Sequence, residues 1–337
     1  MCWIARKFTL SFNYFNCALL GALACLTFQA SAQNFDLQAH RGGRGLLPEN
    51  TLAAFENAIR MGVRTIEMDI AITADGVPVI SHDVALNPAL TRNANGLWLI
   101  KHEPLIKNMR LADVQSYDVG RLNPDHAYAK EFLDQQPRDG QRIPTLAAVF
   151  DLVNQLGAHD LQFDIETKMN PHNPESTLPP EAFVQVILSV FRQYGFTRRI
   201  MVQSFDWRTL EILHREAPEV RTVYLTMDFP NYSTIRDGAW TAGHLLTDSK
   251  GSVPQMVKKS AGNATGVIWA PNYKYLTQDR LKEAHQLGLK VIPWTVNQAS
   301  SMGQLIDWKV DGIITDYPNI LRKVMSDRGL PVPESKN

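Results

Sequence analysis

From Phe35 onward the chain alternates short β-rich runs with stretches patterned for helices, and this alternation constrains the fold more than any other feature. Such alternation makes parallel strands joined by crossover helices. Core strands are expected near Leu37–His40, Thr65–Asp69, Leu161–Thr167, Ile200–Ser204, Arg221–Leu225, Val267–Ala270, Val291–Thr295 and Gly312–Thr315. Eight is the strand number of a (β/α)8 TIM barrel, within the α/β class. Helices are expected at Thr51–Met61 behind an Asn50 N-cap, at Thr145–Leu156, at Arg208–Glu216 and at Thr277–Leu287, most of them closed by Gly or Pro. The competing α/β form, an open doubly wound sheet, carries a phosphate-binding glycine loop after its first strand. Gly42-Gly43-Arg44-Gly45 has the wrong spacing for one and runs into Pro48.

One segment breaks the rhythm. Residues 73–143 or so separate the second strand from its helix, opening on the turn signal Asp75-Gly76 and a strand at Val77–Ser81. The rest is loop-rich and reads as a small insertion above one end of the barrel. Within it, Leu97-Trp98-Leu99-Ile100 reads as an interior or hairpin piece; the other reading is an exposed apolar rim for a lipid chain. The tail after Met325 is polar, holds prolines, and is expected to be loose.

The first 32 residues have a different character. Arg6 and Lys7 precede an uncharged apolar run from Cys17 to Phe28, and Ala30-Ser31-Ala32 follows as a small-residue cleavage site. That order predicts a secretory signal peptide, with a domain at 33–337 released to the periplasm or the exterior and no stable membrane anchor. All three cysteines fall in the segment to be removed, so the remainder has no disulfide, thiol nucleophile or iron–sulfur ligand. Removal also leaves 32 basic against 34 acidic residues, a formal charge of −2. A nucleic-acid binder would be basic, and Lys258-Lys259 is too small a patch to serve.

Ionisable residues cluster where barrel enzymes build their sites, at the C-terminal ends of strands. His40 and Arg41 end the first, Glu67 and Asp69 the second, Glu166 and Lys168 the third. Strand alternation puts Glu67 and Asp69 on one face, about 6.6 Å apart along the strand, with Ile66, Met68 and Ile70 on the other. Carboxylates so placed repel unless a cation, protons or basic neighbours intervene, and Arg41, Arg64 and Lys168 are the basic candidates. With Glu166 they form an all-oxygen set that suits Mg²⁺ or Ca²⁺ better than zinc. His40 and His82 each end a β-rich run and could serve as general base and general acid. Arg41 offers a donor fork and Lys168 a point charge for phosphate oxygens. Gly42 and Gly43 would let backbone amides approach an anion. The other seven histidines read as surface or packed residues. No Gly-x-Ser-x-Gly elbow, His-Glu-x-x-His or phosphate loop ending in Gly-Lys-Ser/Thr occurs.

Together, His40-Arg41-Gly42, Pro48-Glu49-Asn50-Thr51, Glu67-x-Asp69, Thr73-x-Asp75-Gly76 and His82-Asp83 resemble the N-terminal signature of the glycerophosphodiester phosphodiesterase family. Ile143-Pro144-Thr145-Leu146, Ile165-Glu166-Thr167-Lys168, Gln203-Ser204-Phe205, Trp294-Thr295-Val296-Asn297 and Asp311-Gly312 through Pro318 extend the resemblance over nearly all of residues 33–337. It implies a metal-dependent enzyme that hydrolyses glycerophosphodiesters to sn-glycerol 3-phosphate and an alcohol. By the same resemblance Glu67, Asp69 and Glu166 are metal ligands, His40 and His82 the acid/base pair, and Arg41 and Lys168 phosphate contacts. Trp294 becomes the aromatic wall of the glycerol pocket. One departure is Asp164, where Asn is common in the family. Two other readings fit the fold: a lysophospholipase D-like enzyme, and a non-catalytic protein that captures glycerophosphodiesters.

Overall fold

The computed structural model describes Met1, Trp3 and residues 35–335, so all but those two residues of the proposed signal peptide lie outside the described residues. In chain order the strands are β1 (Asp36–Ala39), β2 (Thr65–Ile72), β3 (Pro78–Ile80), β4 (Gln162–Thr167), β5 (Ile200–Ser204), β6 (Arg221–Thr226), β7 (Asp228–Phe229), β8 (Tyr232–Ser233), β9 (Ile268–Pro271), β10 (Lys290–Val291) and β11 (Gly312–Thr315). The α-helices are α1 (Leu52–Met61), α2 (Leu111–Val114), α3 (Leu146–Gln155), α4 (Pro180–Tyr194), α5 (Arg208–Glu216), α6 (Val253–Ala261), α7 (Gln278–Gln286), α8 (Ala299–Asp307) and α9 (Pro318–Asp327).

Eight parallel strands form the barrel, in the order β10-β9-β6-β5-β4-β2-β1-β11. The remaining seam, between β10 and β11, is bridged by backbone hydrogen bonds from Asp311 to Val291 (2.9 Å) and from Ile314 to Pro293 (3.1 Å). Pro293 has no N–H to return, so regular β10 is confined to Lys290–Val291, and the rest of the stretch expected to Thr295 is tied by isolated bonds such as Trp294 N to Pro271 O (3.1 Å).

Alternation along each strand sorts residues between two cores. Leu37, Ile66, Met68, Phe163, Ile165 and Val202 face the helices and belong to the main apolar cluster with Phe55, Phe150 and Leu210. The opposite parity faces the barrel interior, which is apolar on one side only. Met201, Val223, Leu225, Ile268, Ala270, Ile292 and Ile314 form that apolar half. On β1, β2 and β4 the same parity carries Asp36, Gln38, Thr65, Glu67, Asp69, Asp164 and Glu166, all buried.

Residues 73–143 leave β2 through β3, which pairs antiparallel with it. They build a small core of their own from Val79, Leu86, Ile106, Met109, Val114 and Ile143, against Ala71 of β2. Leu99 packs on this core and Trp98 lies under the Arg92 guanidinium (5.4 Å), whereas Leu97 and Ile100 are exposed.

Two local expectations are corrected. Thr51, not Asn50, caps α1, its hydroxyl accepting from Ala54 N; Asn50 is left-handed (φ 57°) and its side chain goes elsewhere. The C-terminal tail is anchored through residue 335. Arg322 Nη1 donates to the carbonyls of Gly62 (2.9 Å) and Pro333 (2.8 Å), and Leu330 and Val332 pack on the main core. Tail composition does not reveal such contacts, because they depend on a partner far away in sequence.

Candidate active site

The turn that ends β1 sets the first corner of the site. Arg41, Gly42 and Gly43 all take left-handed conformations (φ 51°, 81° and 89°), which only glycine adopts without strain. A Cβ on Gly42 would lie 2.9 Å from Ala54 Cβ, so helix α1 also requires that glycine. Gly43 N donates to His40 O (2.8 Å), so that amide is already used within the turn, and Arg41 N donates to Glu67 Oε2 (2.7 Å).

Parallel pairing of β2 with β4 sets Asp69 opposite Glu166 and Glu67 opposite Asp164. Glu67, Asp69 and Glu166 are buried, and each offers an oxygen within 4.8 Å of the other two. Glu67 Oε1 accepts from Gln203 Nε2 (2.6 Å) and Asp69 Oδ2 from Asn50 Nδ2 (2.9 Å). Arg41 Nε stands 3.3 Å from Asp69, and Lys168 Nζ lies 2.7 Å from Glu166 and 3.6 Å from Asp69. Asp69 Oδ1 is buried with no hydrogen-bond partner. Burial and the charge of Asp69 push the Glu67 carboxyl well above its usual range. Burial pushes Glu166 up to about 7 against the pull of Lys168. Burial alone would raise Asp69 as well, but Arg41 above all holds it low. A buried all-oxygen trio with an orphaned acceptor fits a hard divalent cation.

The two histidines are each tethered by a carboxylate. His40 Nδ1 lies 2.6 Å from Asp316 Oδ1, and Asp316 is fixed in turn by Arg44 Nε (2.7 Å) and Asn297 Nδ2 (2.7 Å). Donation from Nδ1 to Asp316 leaves Nε2 as the acceptor, 3.9 Å from Glu67 Oε2. Burial, then the Arg44 charge, lowers His40 to about 4 despite Asp316, so this imidazole is neutral at pH 7. His82 Nδ1 lies 3.1 Å from Asp83 Oδ1, and burial followed by Arg41 lowers its pKa too.

A cavity of about 460 Å³ at the barrel mouth is lined by His40, Arg41, Glu67, His82, Glu166, Lys168 and Trp294, together with Arg44, Gln203 and Phe205. Seven of the eight residues singled out in the sequence thus line one space, and Asp69 lies behind them, 3.6 Å from Lys168. Trp294 is half-buried, donates from Nε1 to Ala270 O (2.8 Å) and meets Phe205 edge-on (5.4 Å). Arg41 Nη1 is bonded to Glu49 (2.7 Å), so its fork is already shared with two acids. Four residues that hold the site together were not singled out in the sequence: Glu49, Asn50, Gln203 and Asp316. Asp316 follows β11 as His40 follows β1, and that strand-end position was the available signal. The other histidines lie outside this cavity; His244 and His285, for instance, pair with Glu211 and Asp311.

Residues 40–320 match the model of the glycerophosphoryl diester phosphodiesterase family. A glycerophosphodiester phosphodiesterase of Bacillus subtilis (strain 168) is 30% identical over 289 residues, 85% of each chain. A crystal structure from Silicibacter pomeroyi DSS-3, provisionally assigned to the glycerophosphoryl diester phosphodiesterases, is similar at a TM-score of 0.77 and 34% identity, over 88% of this chain and 94% of that one. An Oleispira antarctica phosphodiesterase solved with its product sn-glycerol-3-phosphate shares the fold at a TM-score of 0.60 and 22% identity, over 86% and 96% of the two chains.

Proposed function

The chain belongs to the glycerophosphoryl diester phosphodiesterase family and hydrolyses glycerophosphodiesters, and we propose that it yields sn-glycerol 3-phosphate and an alcohol by acid/base catalysis from His40 and His82. The observation that carries this reading is the convergence, in one cavity, of a buried carboxylate trio and two carboxylate-tethered imidazoles. Glu67, Asp69 and Glu166 would hold Ca²⁺ or Mg²⁺, which supplies a positive field for the phosphate oxygens.

The chain's own residues do the rest. Lys168 and Arg41 neutralise the carboxylates around the phosphate position and offer N–H donors to its oxygens. One imidazole takes the proton from the neighbouring glycerol hydroxyl as that oxygen bonds to phosphorus. The other gives its proton to the departing alcohol as the old P–O bond breaks. Water then opens the cyclic phosphate with the two roles exchanged. Trp294 packs against the carbon face of the glycerol.

A coupled glycerol 3-phosphate assay on purified protein tests this, with chelation and re-addition of Mg²⁺ or Ca²⁺. His40→Ala is expected to lower kcat by about 10²–10⁴-fold, and Glu67→Ala to abolish the response to metal. Full activity in His40→Ala or in chelated protein sinks the mechanism. Substrate binding without turnover in metal-replete protein points to a capture protein, and choline release from lysophosphatidylcholine in preference to glycerophosphocholine to a lysophospholipase D.

No helix among the described residues is long and apolar enough to cross a membrane. Export through a signal peptide at residues 1–32 predicts an N-terminus at Gln33 in the exported protein; sequencing that finds Met1 retained overturns it.

A further inference from the structure

The barrel-mouth cavity opens beside a second space. A groove of about 880 Å³ shares His82, Glu166, Lys168 and Phe205 with it. From there the groove is lined by residues of the β4–α4 and β6–α6 connections. Of the shared polar residues, Lys168 and His82 are assigned above to phosphate and proton chemistry, and Glu166 to the cation beside them. A phosphodiester held by them places one substituent in each space. With the glycerol beside Trp294, the alcohol to be released lies in the groove.

The walls of the groove have a definite chemistry. Phe205, Met227, Tyr232 and Trp240 present aromatic rings and a thioether. Trp240 is buried and held edge-on against Phe205 (6.3 Å) and His172 (5.9 Å). Tyr232 sits on the β7–β8 hairpin and is 48% exposed, free to meet a ligand. Burial raises its phenol, Lys168 lowers it and Asp237 raises it, so the ring stands within electrostatic reach of both charges. Among the described lining residues Lys168 is the only Lys or Arg, and its ammonium is already paired with Glu166 (2.7 Å). Asp83 adds a carboxylate to the lining, bonded to His82 and Asn87. The groove therefore offers π faces, a polarisable sulfur and negative charge.

A quaternary ammonium group is attracted to aromatic faces within about 6 Å and needs no hydrogen bonds in exchange for water. A polyol would leave the hydroxyls on its far side facing rings, since Asn170, Asn173 and Ser176 line the β4–α4 wall alone, and an anionic head group would meet Asp83. We propose that this groove is the head-group subsite and that it selects a quaternary ammonium alcohol, making glycerophosphocholine the preferred diester. The proposal rests on the phosphodiesterase reading above.

The test is kcat/KM of the purified, metal-replete protein for glycerophosphocholine, glycerophosphoethanolamine, glycerophosphoglycerol and glycerophosphoinositol. The choline ester is expected to exceed the glycerol and inositol esters by about tenfold, the size of one or two cation–π contacts. Tyr232→Ala is expected to lower the choline ester by about three- to tenfold and leave the glycerol ester within about twofold, while Tyr232→Phe keeps the preference. Trp240→Ala should act in the same direction; because Trp240 is buried and its loss also opens a cavity, the Tyr232 pair decides the matter. Equal rates for all esters, preference for the inositol ester, or an equal loss on every ester in Tyr232→Ala overturns the subsite alone. No turnover of any ester overturns the phosphodiesterase reading and the subsite with it.

Discussion

Asp164 lies two residues before Glu166 on β4, fully buried in the polar half of the barrel interior. Its Oδ1 has no hydrogen-bond donor, and neither has the buried Oε1 of its neighbour Gln38. Burial and the charge of Asp36 push the Asp164 carboxyl well above its usual range. A raised carboxyl contributes stability that is complete below its unfolded pKa and is lost as pH rises through the folded one. Asp164→Asn has no such loss, and its amide supplies a donor for Gln38 Oε1. Asp164→Asn is expected to be more stable at pH 8 by about 1–2 kcal/mol, with the gain shrinking toward pH 4; thermal melts at the two pH values check it, and an equal or lower melting temperature at pH 8 contradicts it. Asp316 matters for a different reason, since it fixes the ring and tautomer of His40. Asp316→Asn is expected to lower kcat by about 10²–10⁴-fold with unchanged circular dichroism. A kcat within threefold of the parent would show that the tether has no catalytic weight. His40, Glu67, Asp69 and Glu166 were legible because a charge at a strand end is costly without a purpose. Their holders were not. Asn50 carries an N-cap residue's chemistry and sits where a cap is expected, yet a left-handed backbone turns its amide to Asp69.

The segment between β3 and α3 supplies His82 to the site and also braces the corner that holds His40, above all through Tyr128. Tyr128 donates its hydroxyl to Glu49 and accepts from Arg44 Nη1 (2.8 Å), while the Arg44 guanidinium lies over the Phe132 ring (4.8 Å). Glu49 holds Arg41, and Arg44 holds Asp316. Removing the hydroxyl leaves both ends of this chain less constrained, so Tyr128→Phe is expected to lower kcat/KM about tenfold, with a stability loss of about 1 kcal/mol. Kinetics beside a urea melt separate the two, and unchanged kinetics in a destabilised protein would confine Tyr128 to a structural role. The insertion itself was visible in the sequence, because Asp75-Gly76 and a loop-rich run interrupt the strand–helix rhythm. The bond from Arg44 to Tyr128 joins residues 84 positions apart in the numbering, and no local pattern encodes it. Strand β10 makes the same point in reverse. Val291–Thr295 has the composition of a strand, but the regular strand covers only Lys290–Val291; beyond it, with Pro293 unable to donate, the path is held by single bonds from Trp294 to Pro271 and from Val296 to Ile314.

A barrel usually fills its interior with branched apolar side chains, and here one half of the interior is given over to acids. That arrangement ties the stability of the whole chain to what the acids bind. Without a cation, Glu67 and Glu166 hold their protons more tightly in the fold than when unfolded, Glu166 to about 7. The stability they contribute is complete below their unfolded pKa values and is lost as pH rises through the folded ones. A bound cation takes the ionised form, so binding releases protons and tightens with rising pH. Two consequences follow for the melting temperature. In chelator it falls between pH 6 and pH 8, and the gain on adding saturating Ca²⁺ or Mg²⁺ is larger at pH 8 than at pH 6. A hundredfold excess of cation over its Kd corresponds to about 2.7 kcal/mol, enough for a shift of several degrees in a chain of this size. In Glu67→Gln, which keeps the shape but gives up one charge, the cation-dependent gain should shrink at both pH values. An equal gain in that variant would remove Glu67 from the cation site, and a gain larger at pH 6 than at pH 8 would mean that the acids are already ionised without the metal.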